Sequence, residues 1–280
     1  MERLSAAELR ERRADFVLLD ARDEASFRRG HLEGSGNLAP ADFVARRAEL
    51  PPRQERVLIV ASDGEDAQAA AAALEALGYA RVAWLDARLA SIAPGLLDRG
   101  PPARLWRPSP FLKQVLPLLP DPARAPLRAL DLAAGAGREA VYLALHGFEV
   151  EAWDHDRDVL ARAERMASRH GVTIATAVHN LERLKPELPL SDRDLVTVFR
   201  FLHRPLLPHI ARAVRPGGCV VYETYLKGQE RFGRPTHPRF LLDPGELARA
   251  FADLEILRYQ ESTPPSGPFM ARLVARRPSS

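Results

Sequence analysis

The sequence predicts an α/β fold made of two domains, each built around a parallel sheet. Strand and helix signals alternate through the first 100 residues, a stretch with four prolines (DRGPPARLWRPSP) follows at 98–110, and the alternation then starts again. Strands that alternate with helices are typical of parallel sheets covered on both faces. We therefore expect a first domain at 1–100, a proline-rich linker at 101–107 and a second domain at 108–280.

In the first half, three apolar runs predict buried strands: FVLLD at 16–20, VLIV at 57–60 and RVAWL at 81–85. Ser5 and Glu8 in SAAEL have the spacing of a capping box and predict the start of a helix. Further helices are predicted for ADFVARRAEL and for DAQAAAAALEALG, which Gly78 would close as a C-cap. Together these elements predict a complete α/β domain.

The second half carries more of the same signals. Helices are predicted for REAVYLALHG and RDVLARAERMASRHG. The predicted strands are LRALDLAA (127–134), FEVEAWD (148–154), DLVTVFRF (194–201), CVVYETY (219–225) and FMARLVARR (269–277). This number of strands is enough for an open, largely parallel sheet.

Composition excludes several classes of protein. The net charge is only +3 and acidic residues are interspersed, without a basic block that carries aromatics, which disfavours nucleic-acid binding. No apolar run reaches the roughly 18 residues of a membrane span, and the charged N-terminus lacks the apolar core of a signal peptide, so we expect a cytoplasmic protein. Cys219 is the single cysteine, which leaves no internal disulfide and no cysteine-based metal site; no metal is predicted.

One stretch of the first half, LLDARDEASFRRGHLEGSGNLAPADF, resembles the rhodanese-like signature, in which Asp-x-Arg precedes a Phe and a Gly-His pair. The later LEALGYARVAWLDA is similar to that family's helix, Gly-Tyr turn and following strand, and the resemblance spans about residues 4–98. The matching residues are Asp20, Arg22, Phe27, Gly30 and His31. The resemblance implies a rhodanese-like parallel α/β sheet.

The loop ASDGED occupies the place where active rhodaneses carry Cys-x-x-Gly-x-Arg. Ala61 stands at the cysteine position, Gly64 at the glycine, and Asp66 at the arginine. The nucleophile is absent and an anion replaces the cation that would neutralise a bound persulfide. We therefore predict that this domain is not a sulfurtransferase, and that Asp63, Glu65 and Asp66 cap the helix instead. A structural or interaction role remains, through a protein partner or through intramolecular docking.

In the second half, a run of small residues, Ala133–Gly137, separates a predicted strand from a helix. Small residues let a ligand approach the backbone at the C-terminal edge of a sheet, where α/β folds bind cofactors. Asp154 follows Gly135 by 19 residues, at the end of the next strand. A carboxylate at that position can accept both ribose hydroxyls of an adenosine.

The stretch RALDLAAGAGREAVYLALHGFEVEAWDHD resembles motif I of class I S-adenosyl-L-methionine (SAM)-dependent methyltransferases, Asp-x-Gly-x-Gly-x-Gly, with Ala133 in place of the first glycine. VHNLE and the Pro-Gly-Gly turn at 216–218 fit the same family, and FRFLHRPL with RFGRPTHPRFLLDPGEL resembles its tellurite-resistance-like group. The resemblance covers about residues 108–278 and implies a Rossmann-like sheet with SAM as cofactor. The cofactor-binding residues it implies are Asp131, Ala133, Gly135, Gly137, Asp154, His155, Asn180, Leu181 and Phe199.

The residues that meet the methyl acceptor are less sharply indicated. His203 follows a predicted strand and is either a catalytic base or a polar loop residue. Arg200, Arg204, Tyr225 and Arg234 are candidate substrate residues, although the arginines could equally form local ion pairs. Arg suits planar recognition of carboxylate or phosphate, and no aromatic stacking platform accompanies these residues. We therefore expect a small anionic acceptor rather than nucleic acid or protein, with residues 227–240 as a lid.

Two alternative functions remain open. The first is a non-catalytic SAM-binding or regulatory protein, since the N-terminal domain has lost its chemistry. The second, an NAD(P)-dependent oxidoreductase, is disfavoured because no Tyr-x-x-x-Lys or comparable hydride-site pattern is present. The sequence does not disclose the acceptor.

Overall fold

The computed structural model describes residues 1–123, 125–182, 188 and 192–279. The chain divides into two compact units, Met1–Arg107 and Pro108–Ser280. The residues predicted as a linker, 101–107, thus belong to the first unit. Leu105 packs into its apolar core, and the Ala103 amide donates to the Ser35 carbonyl at 2.9 Å. The proline-rich stretch is therefore ordered, because its leucine has a site in that core.

The first unit contains a five-stranded parallel sheet and a separate antiparallel pair. The strands are β1 (Glu2–Ser5), β2 (Val17–Asp20), β3 (His31–Leu32), β4 (Gly36–Asn37), β5 (Val57–Val60), β6 (Val82–Asp86) and β7 (Leu97–Asp98). The order in the sheet is β1-β6-β5-β2-β4, and β3 pairs with β7. The helices are α1 (Ala6–Arg12), α2 (Glu24–Arg29) and α3 (Gly64–Ala76).

Local signals explain two of these elements. All four residues of β5 are buried, as expected of an apolar central strand in a parallel sheet. The predicted capping box is confirmed at α1, where the Glu8 amide donates to the Ser5 hydroxyl at 3.3 Å and the Ser5 amide donates to the Glu8 carboxylate at 2.8 Å. Each of these bonds satisfies a backbone group that the first turn would otherwise leave unpaired.

The helix predicted for residues 41–50 is wrong. The chain forms only two short 3₁₀ turns there, Pro40–Asp42 and Arg47–Glu49. Phe43 and Leu50 are buried, so the segment serves the core without helical periodicity. Prolines at both ends of the segment leave too little chain for a stable α-helix.

The rhodanese-like signature residues have structural roles in this unit. The Arg22 guanidinium donates to the fully buried Asp20 carboxylate, at 2.7 Å for the shortest bond, and to the Gly30 carbonyl at 2.7 Å. The buried His31 ring stacks on Phe27 with 3.7 Å between ring centroids. These contacts tie β2, α2 and β3 together.

The second unit contains a seven-stranded sheet. The strands are β8 (Leu127–Leu132), β9 (Phe148–Asp154), β10 (Ala175–Val178), β11 (Arg193–Phe199), β12 (Val214–Tyr225), β13 (Glu255–Ser262) and β14 (Met270–Arg276). The helices are α4 (Pro110–Val115), α5 (Arg138–Leu145), α6 (Arg157–Arg169), α7 (Leu207–Ala213) and α8 (Glu246–Ala250). The sheet order is β10-β9-β8-β11-β12-β14-β13.

The first five strands of that order are parallel, and β14 runs antiparallel to β12 and β13. The C-terminal ends of β8, β9, β11 and β12 therefore meet at one edge of the sheet, which positions the candidate site. The predicted Pro-Gly-Gly turn lies inside β12, where Gly217 has φ 78°. No helix in the described part of the chain is both long enough and apolar enough to cross a membrane.

Candidate cofactor site

The loop between β8 and α5 is open on the side of the sheet edge. Ala133 and Gly135 both have left-handed backbone conformations, with φ 56° and 54°. A Cβ atom built on Gly135 would have no other atom within 4 Å, so the backbone here borders open space. A non-glycine residue at Gly135 would be strained and would project into that space. This is the geometry of a backbone surface that a ligand can approach.

Gly137 has a role in helix packing. A Cβ atom on Gly137 would lie 2.5 Å from the Ala163 Cβ of α6, far inside contact distance. The glycine therefore permits α5 and α6 to pack closely and does not border the cavity. The predicted contact of both glycines with a cofactor stays a prediction, because spacing alone does not reveal which neighbour each glycine faces.

Asp154, at the end of β9, forms a hydrogen bond with the open loop. One of its carboxylate oxygens accepts the Gly135 amide at 2.9 Å, and the other accepts the Asp156 amide at 3.1 Å. The His155 Nδ1 lies 3.0 Å from the second oxygen. A carboxylate has about four lone-pair positions, so capacity remains for ligand hydroxyls.

A cavity of about 280 Å³ lies beside this carboxylate at the C-terminal edge of the sheet. It brings together five residues predicted from the sequence, which are Ala133, Asp154, His155, Asn180 and Leu181. Three further lining residues were missed, which are His179, Glu182 and Phe201. The His179 ring stacks on Trp153 at 3.8 Å between centroids, at the end of β10. A polar His-Asn pair was visible in the sequence, but β10 was not predicted.

Asp131 is buried at the end of β8, beneath the same loop. Its Oδ1 accepts the Thr197 hydroxyl at 2.7 Å, while Oδ2 has no hydrogen-bond partner of good geometry. Burial raises the pKa of Asp131 to about 8, and the negative charge of Glu139 adds to the rise, against the Thr197 hydrogen bond. An unpaired buried carboxylate oxygen is unfavourable in the free protein, and a cationic ligand group would satisfy it.

Two further carboxylates near the same edge, Glu139 and Glu223, are bridged by Ser109. The Ser109 amide donates to Glu139 at 3.1 Å, and its hydroxyl donates to Glu223 at 2.9 Å. Arg272 donates to the other oxygen of Glu223 at 2.6 Å. Ser109 and Glu223 are both buried, so this network is held rigidly. Sequence reasoning did not single out Ser109 or Glu139.

Several predicted residues lie outside the cavity lining. Phe199 is half-buried at the end of β11, and Phe201 lines the cavity instead, after the left-handed Arg200 at φ 58°. Tyr225 is half-buried at the end of β12, where it pairs with Met270 of β14.

The predicted base, His203, is half-buried just after β11. Its Nε2 is buried and has no hydrogen-bond partner in the part of the chain that the structure describes. A buried ring nitrogen without a partner is free to accept a proton from a bound group. This position is compatible with either predicted role of His203, catalytic base or loop residue.

The candidate substrate arginines separate into two kinds. The Arg204 guanidinium donates to both Glu246 oxygens, at 2.6 and 2.9 Å, and to the Arg239 and Leu241 carbonyls. Arg204 is thus engaged by neighbouring residues, and its role in substrate binding stays a prediction. Arg200 and Arg234 are exposed, and the Arg200 guanidinium makes no hydrogen bond among the described residues.

The segment predicted as a lid, 227–240, is anchored at its start. The Gln229 side chain is buried and accepts the Phe269 amide at 2.8 Å, and Lys227 pairs with Asp243 at 2.5 Å. Among the residues that the structure describes, no three His, Cys, Asp or Glu side chains are grouped so as to hold a metal ion.

The fold and the site together define an α/β domain that a rhodanese-like domain precedes. Its sheet edge carries an open glycine loop, a cavity, and a carboxylate at the end of the neighbouring strand β9. Residues 123–264 match the family described as tellurite resistance protein TehB, and residues 5–90 match the rhodanese-like domain. The first match spans more than half of the chain, which therefore belongs to the TehB family. The resemblance predicted from the sequence, in both halves, is confirmed.

Individual relatives are more distant. The chain is 26% identical over 142 residues to the probable S-adenosyl-L-methionine-dependent methyltransferase TehB of Haemophilus influenzae, a match that covers 49% of each chain. It is 23% identical over 289 residues to an uncharacterized protein of Schizosaccharomyces pombe, covering 84% of this chain and 85% of the other. The crystal structure of TehB from Haemophilus influenzae is 21% identical in sequence to this chain, with a TM-score of 0.49. The match covers 61% of this chain and 63% of the other. The chain spans about half the length of the curated TehB relatives it matches.

Proposed function

We propose that residues 108–279 transfer a methyl group from SAM to a small-molecule acceptor. SAM is the cofactor, as it is in the name of the Haemophilus influenzae relative. The observation that carries the proposal is the cavity of about 280 Å³ at the C-terminal sheet edge, bordered by Asp154 and by the loop that Gly135 leaves open. Cofactors of α/β proteins bind in such a place.

The residues present fit the adenosine half of the cofactor. Asp154 would accept the ribose hydroxyls, while it keeps its bond to the Gly135 amide. Asn180 and Leu181 would contact the adenine, with His179 and Phe201 as further walls of the cavity. A mainly apolar cleft with a few convergent polar groups is typical of a small-molecule site.

Methyl transfer requires alignment more than acid–base groups. When bound, SAM supplies an electrophilic methyl group on a sulfonium for in-line displacement. The chain contributes positioning of donor and acceptor along one line. His203 Nε2 would accept a proton where the acceptor atom carries one, since it is buried without a partner among the described residues.

We infer that the methyl acceptor is a small anion. Arg200 supports it, because this residue follows β11 with a left-handed backbone, is exposed, and its guanidinium has no hydrogen bond to any residue that the structure describes. Strained backbone at a non-glycine residue is concentrated at functional sites. Arg234, exposed in the 227–240 segment, is a second cation for the same purpose.

Calorimetry on the full chain tests the cofactor part. We expect SAM and S-adenosylhomocysteine (SAH) to bind in a one-to-one ratio and NAD to bind weakly or not at all. Tight NAD binding without SAM binding would reverse the assignment in favour of an oxidoreductase. SAM binding without transfer to any acceptor would favour a regulatory protein.

The acceptor part needs a transfer assay with methyl-labelled SAM. Sodium tellurite and a panel of small carboxylic acids are the probes, with bulk tRNA and protein as alternatives. Arg200→Gln should lower turnover about tenfold or more while SAM affinity stays within about twofold, since a charge-assisted bond to the acceptor is lost. Arg165→Gln, an exposed arginine on α6, is the matched control. Methylation of tRNA or protein, or full activity of Arg200→Gln, would contradict a small anionic acceptor.

We also propose that the rhodanese-like unit is non-catalytic and serves a structural or interaction role. Ala61 stands where the nucleophile would be, and Asp63 caps α3 by accepting the Asp66 amide at 3.0 Å. The Asp86 carboxylate lies against Gly64, so that a Cβ there would be 2.3 Å from its Oδ1. Carboxylates thus occupy the position where an anionic substrate would need donors and a cation. Thiocyanate production from thiosulfate and cyanide by the unmodified chain would refute this.

A further inference from the structure

We propose that Arg204 and Glu246 act as a positioning pair for the segment 227–240, which closes the entrance of the cofactor cavity over the bound methyl donor. The contact across the entrance is made by Arg239 of the segment and Glu182 of the cavity lining. The inference rests on the proposed function, since the donor occupies that cavity. It deepens that function by naming the residues that control the exchange of donor and product.

The segment 227–240 reaches the cavity through an ion pair. The Arg239 guanidinium lies 3.7 Å from a carboxylate oxygen of Glu182, and Glu182 lines the cofactor cavity. The Glu182 amide donates to the Asn180 side chain at 3.0 Å, so this acid is joined to a second residue of the lining. The segment that the sequence indicates as a lid therefore borders the cavity that we assign to the donor.

Arg204 holds the part of the segment that carries Arg239. Its Nη1 donates to the Arg239 carbonyl at 2.9 Å, and its Nη2 donates to the Leu241 carbonyl at 2.8 Å. Nε and Nη2 also donate to the two Glu246 oxygens, at 2.6 and 2.9 Å. Every nitrogen of the guanidinium is thus used, in a planar fork that a lysine ammonium cannot reproduce. One side chain therefore fixes the backbone on both sides of Phe240.

Glu246 holds the same point from the other side. Besides Arg204, its Oε2 accepts the Asp243 amide at 2.8 Å, in the turn that precedes α8. Partial burial acts to raise the pKa of Glu246, but the hydrogen bond from Arg204 opposes it, and the pKa lies below its usual value. The pair therefore stays charged at neutral pH.

The anchor of the segment and one wall of the cavity belong to the same short stretch after β11. Phe201 lines the cavity, and its carbonyl accepts the hydroxyl of the buried Tyr222 at 3.0 Å. Arg204 begins the 3₁₀ turn that follows. Because this stretch is tied to the sheet, the segment can leave the cavity at Arg239 only if the bonds of Arg204 to its backbone break or the chain beyond them bends.

The two ends of the segment lie side by side, as in an Ω loop. The Lys227 amide donates to the Leu242 carbonyl, and the Leu242 amide donates to the Tyr225 carbonyl, both at 2.9 Å. Residues 231–234 and 236–239, between these ends, are exposed. A loop with fixed ends and an exposed middle can open without unfolding the sheet next to it.

The two ion pairs differ in exposure, and this difference separates their roles. The Arg239 and Glu182 side chains are 62% and 47% exposed, whereas those of Arg204 and Glu246 are 38% and 19% exposed. An exposed pair contributes little and breaks readily, while a bidentate, partly buried pair is stronger. The arrangement therefore suits an entrance that opens at Arg239 while its anchor at Arg204 stays in place.

Release of labelled SAH after addition of excess unlabelled SAH measures the entrance on the full chain. Arg204→Gln and Glu246→Gln should each raise the dissociation rate about tenfold, because each removes charge-assisted bonds that hold the segment. Arg204→Lys should behave like Arg204→Gln, since it keeps the charge and loses the fork. Arg165→Gln, an exposed arginine on α6, is the matched control and should leave the rate unchanged.

The exposed pair gives a second test in which folding is not at risk. Arg239→Glu should raise the SAH dissociation rate about threefold, and adding Glu182→Arg should bring it back toward the wild-type value, because the pair forms again with reversed polarity. A merely structural role of either residue would not give this rescue. An unchanged rate in Arg239→Glu, or equal rates in Arg204→Gln and the wild type, would overturn the entrance and leave the cofactor assignment intact. Failure of the wild type to bind SAH would instead remove the proposed function, and this inference with it.

Discussion

Both units place a short loop of small and polar residues between a buried parallel strand and a helix: β5 to α3 in the first unit, and β8 to α5 in the second. In the first, Asp63 caps the helix and Asp86 lies against Gly64. In the second, the helix has no side-chain cap, and Gly135 faces open space. The same local structure is thus closed by the chain's own carboxylates in one unit and left open in the other.

The difference shows how acidic side chains change the N-terminus of a helix in one local architecture. A helix N-terminus attracts anions because its first amides are unpaired. An acidic side chain nearby satisfies those amides and also repels anionic ligands. At the open loop, Asp154 accepts a hydrogen bond from the Gly135 amide, and a Cβ built on Gly135 would still have no other atom within 4 Å. The position of the acids relative to the loop therefore separates a closed loop from an open one.

Filling the open loop should have the largest effect. Gly135→Val would place a branched side chain in the space that the donor must enter, so SAM affinity should fall at least about a thousandfold, or about 4 kcal/mol. Gly171→Val is the matched control, because Gly171 has φ 71° and also borders open space, after α6. Calorimetry should show loss of binding only for the first variant. Retained SAM affinity in Gly135→Val would mean that the loop does not border the cofactor.

Substitution of the neighbouring Gly137 should lower the stability of the second unit. Gly137→Ala brings a methyl group to 2.5 Å from the Ala163 Cβ and imposes strain at φ 81°. We expect the second unit to lose about 2–4 kcal/mol of unfolding free energy. Denaturant unfolding followed by circular dichroism measures it. If stability were unchanged while SAM binding was lost, Gly137 would belong to the cofactor site after all.

Asp154→Ala should weaken SAM binding by about 1.5–3 kcal/mol, because it removes hydrogen bonds to a charged group and frees the Gly135 amide. Asp158→Ala, an exposed acid in the first turn of α6, should leave the affinity unchanged. Both are measured by calorimetry. Equal effects of the two substitutions would show a general charge effect in place of a specific contact.

In the closed loop, Asp63→Ala should cost the first unit about 1 kcal/mol of stability, the usual cost of losing an N-cap, with SAM affinity unaltered. Ser62→Ala, at the exposed neighbouring residue, should be nearly neutral. Thermal unfolding compares them. An unchanged unfolding temperature in Asp63→Ala would indicate that the cap contributes nothing.

The smallest effect is expected for Ala61→Cys. Asp63, Asp66 and Asp86 would raise the pKa of a thiol at this position and repel thiosulfate, so sulfurtransferase activity should stay at background. Adding Asp66→Arg should give a small, measurable rate of thiocyanate formation. Substantial activity of the single variant would show that the acids do not close the loop.

The strands predicted correctly from the sequence are those with a strong apolar signal. The strands β5, β8, β9 and β11 are central and mostly buried, so their side chains are mainly apolar and the sequence shows them as apolar runs. The strands that were missed in the second unit are the edge strands β10 and β13, which are half-exposed and carry little apolar pattern. Edge strands form because a neighbour offers hydrogen bonds, a contact between residues distant in sequence.

The sequence by itself determined the two α/β domains, the loss of the rhodanese nucleophile at Ala61, and the motif around Gly135 and Asp154. Tertiary structure alone decided how chemically similar residues divide their roles. Gly135 borders open space while Gly137 admits α6, and Arg200 is exposed while Arg204 is held by Glu246. A residue's type limits which bonds it can make, but only the packing of distant segments sets which partner it meets.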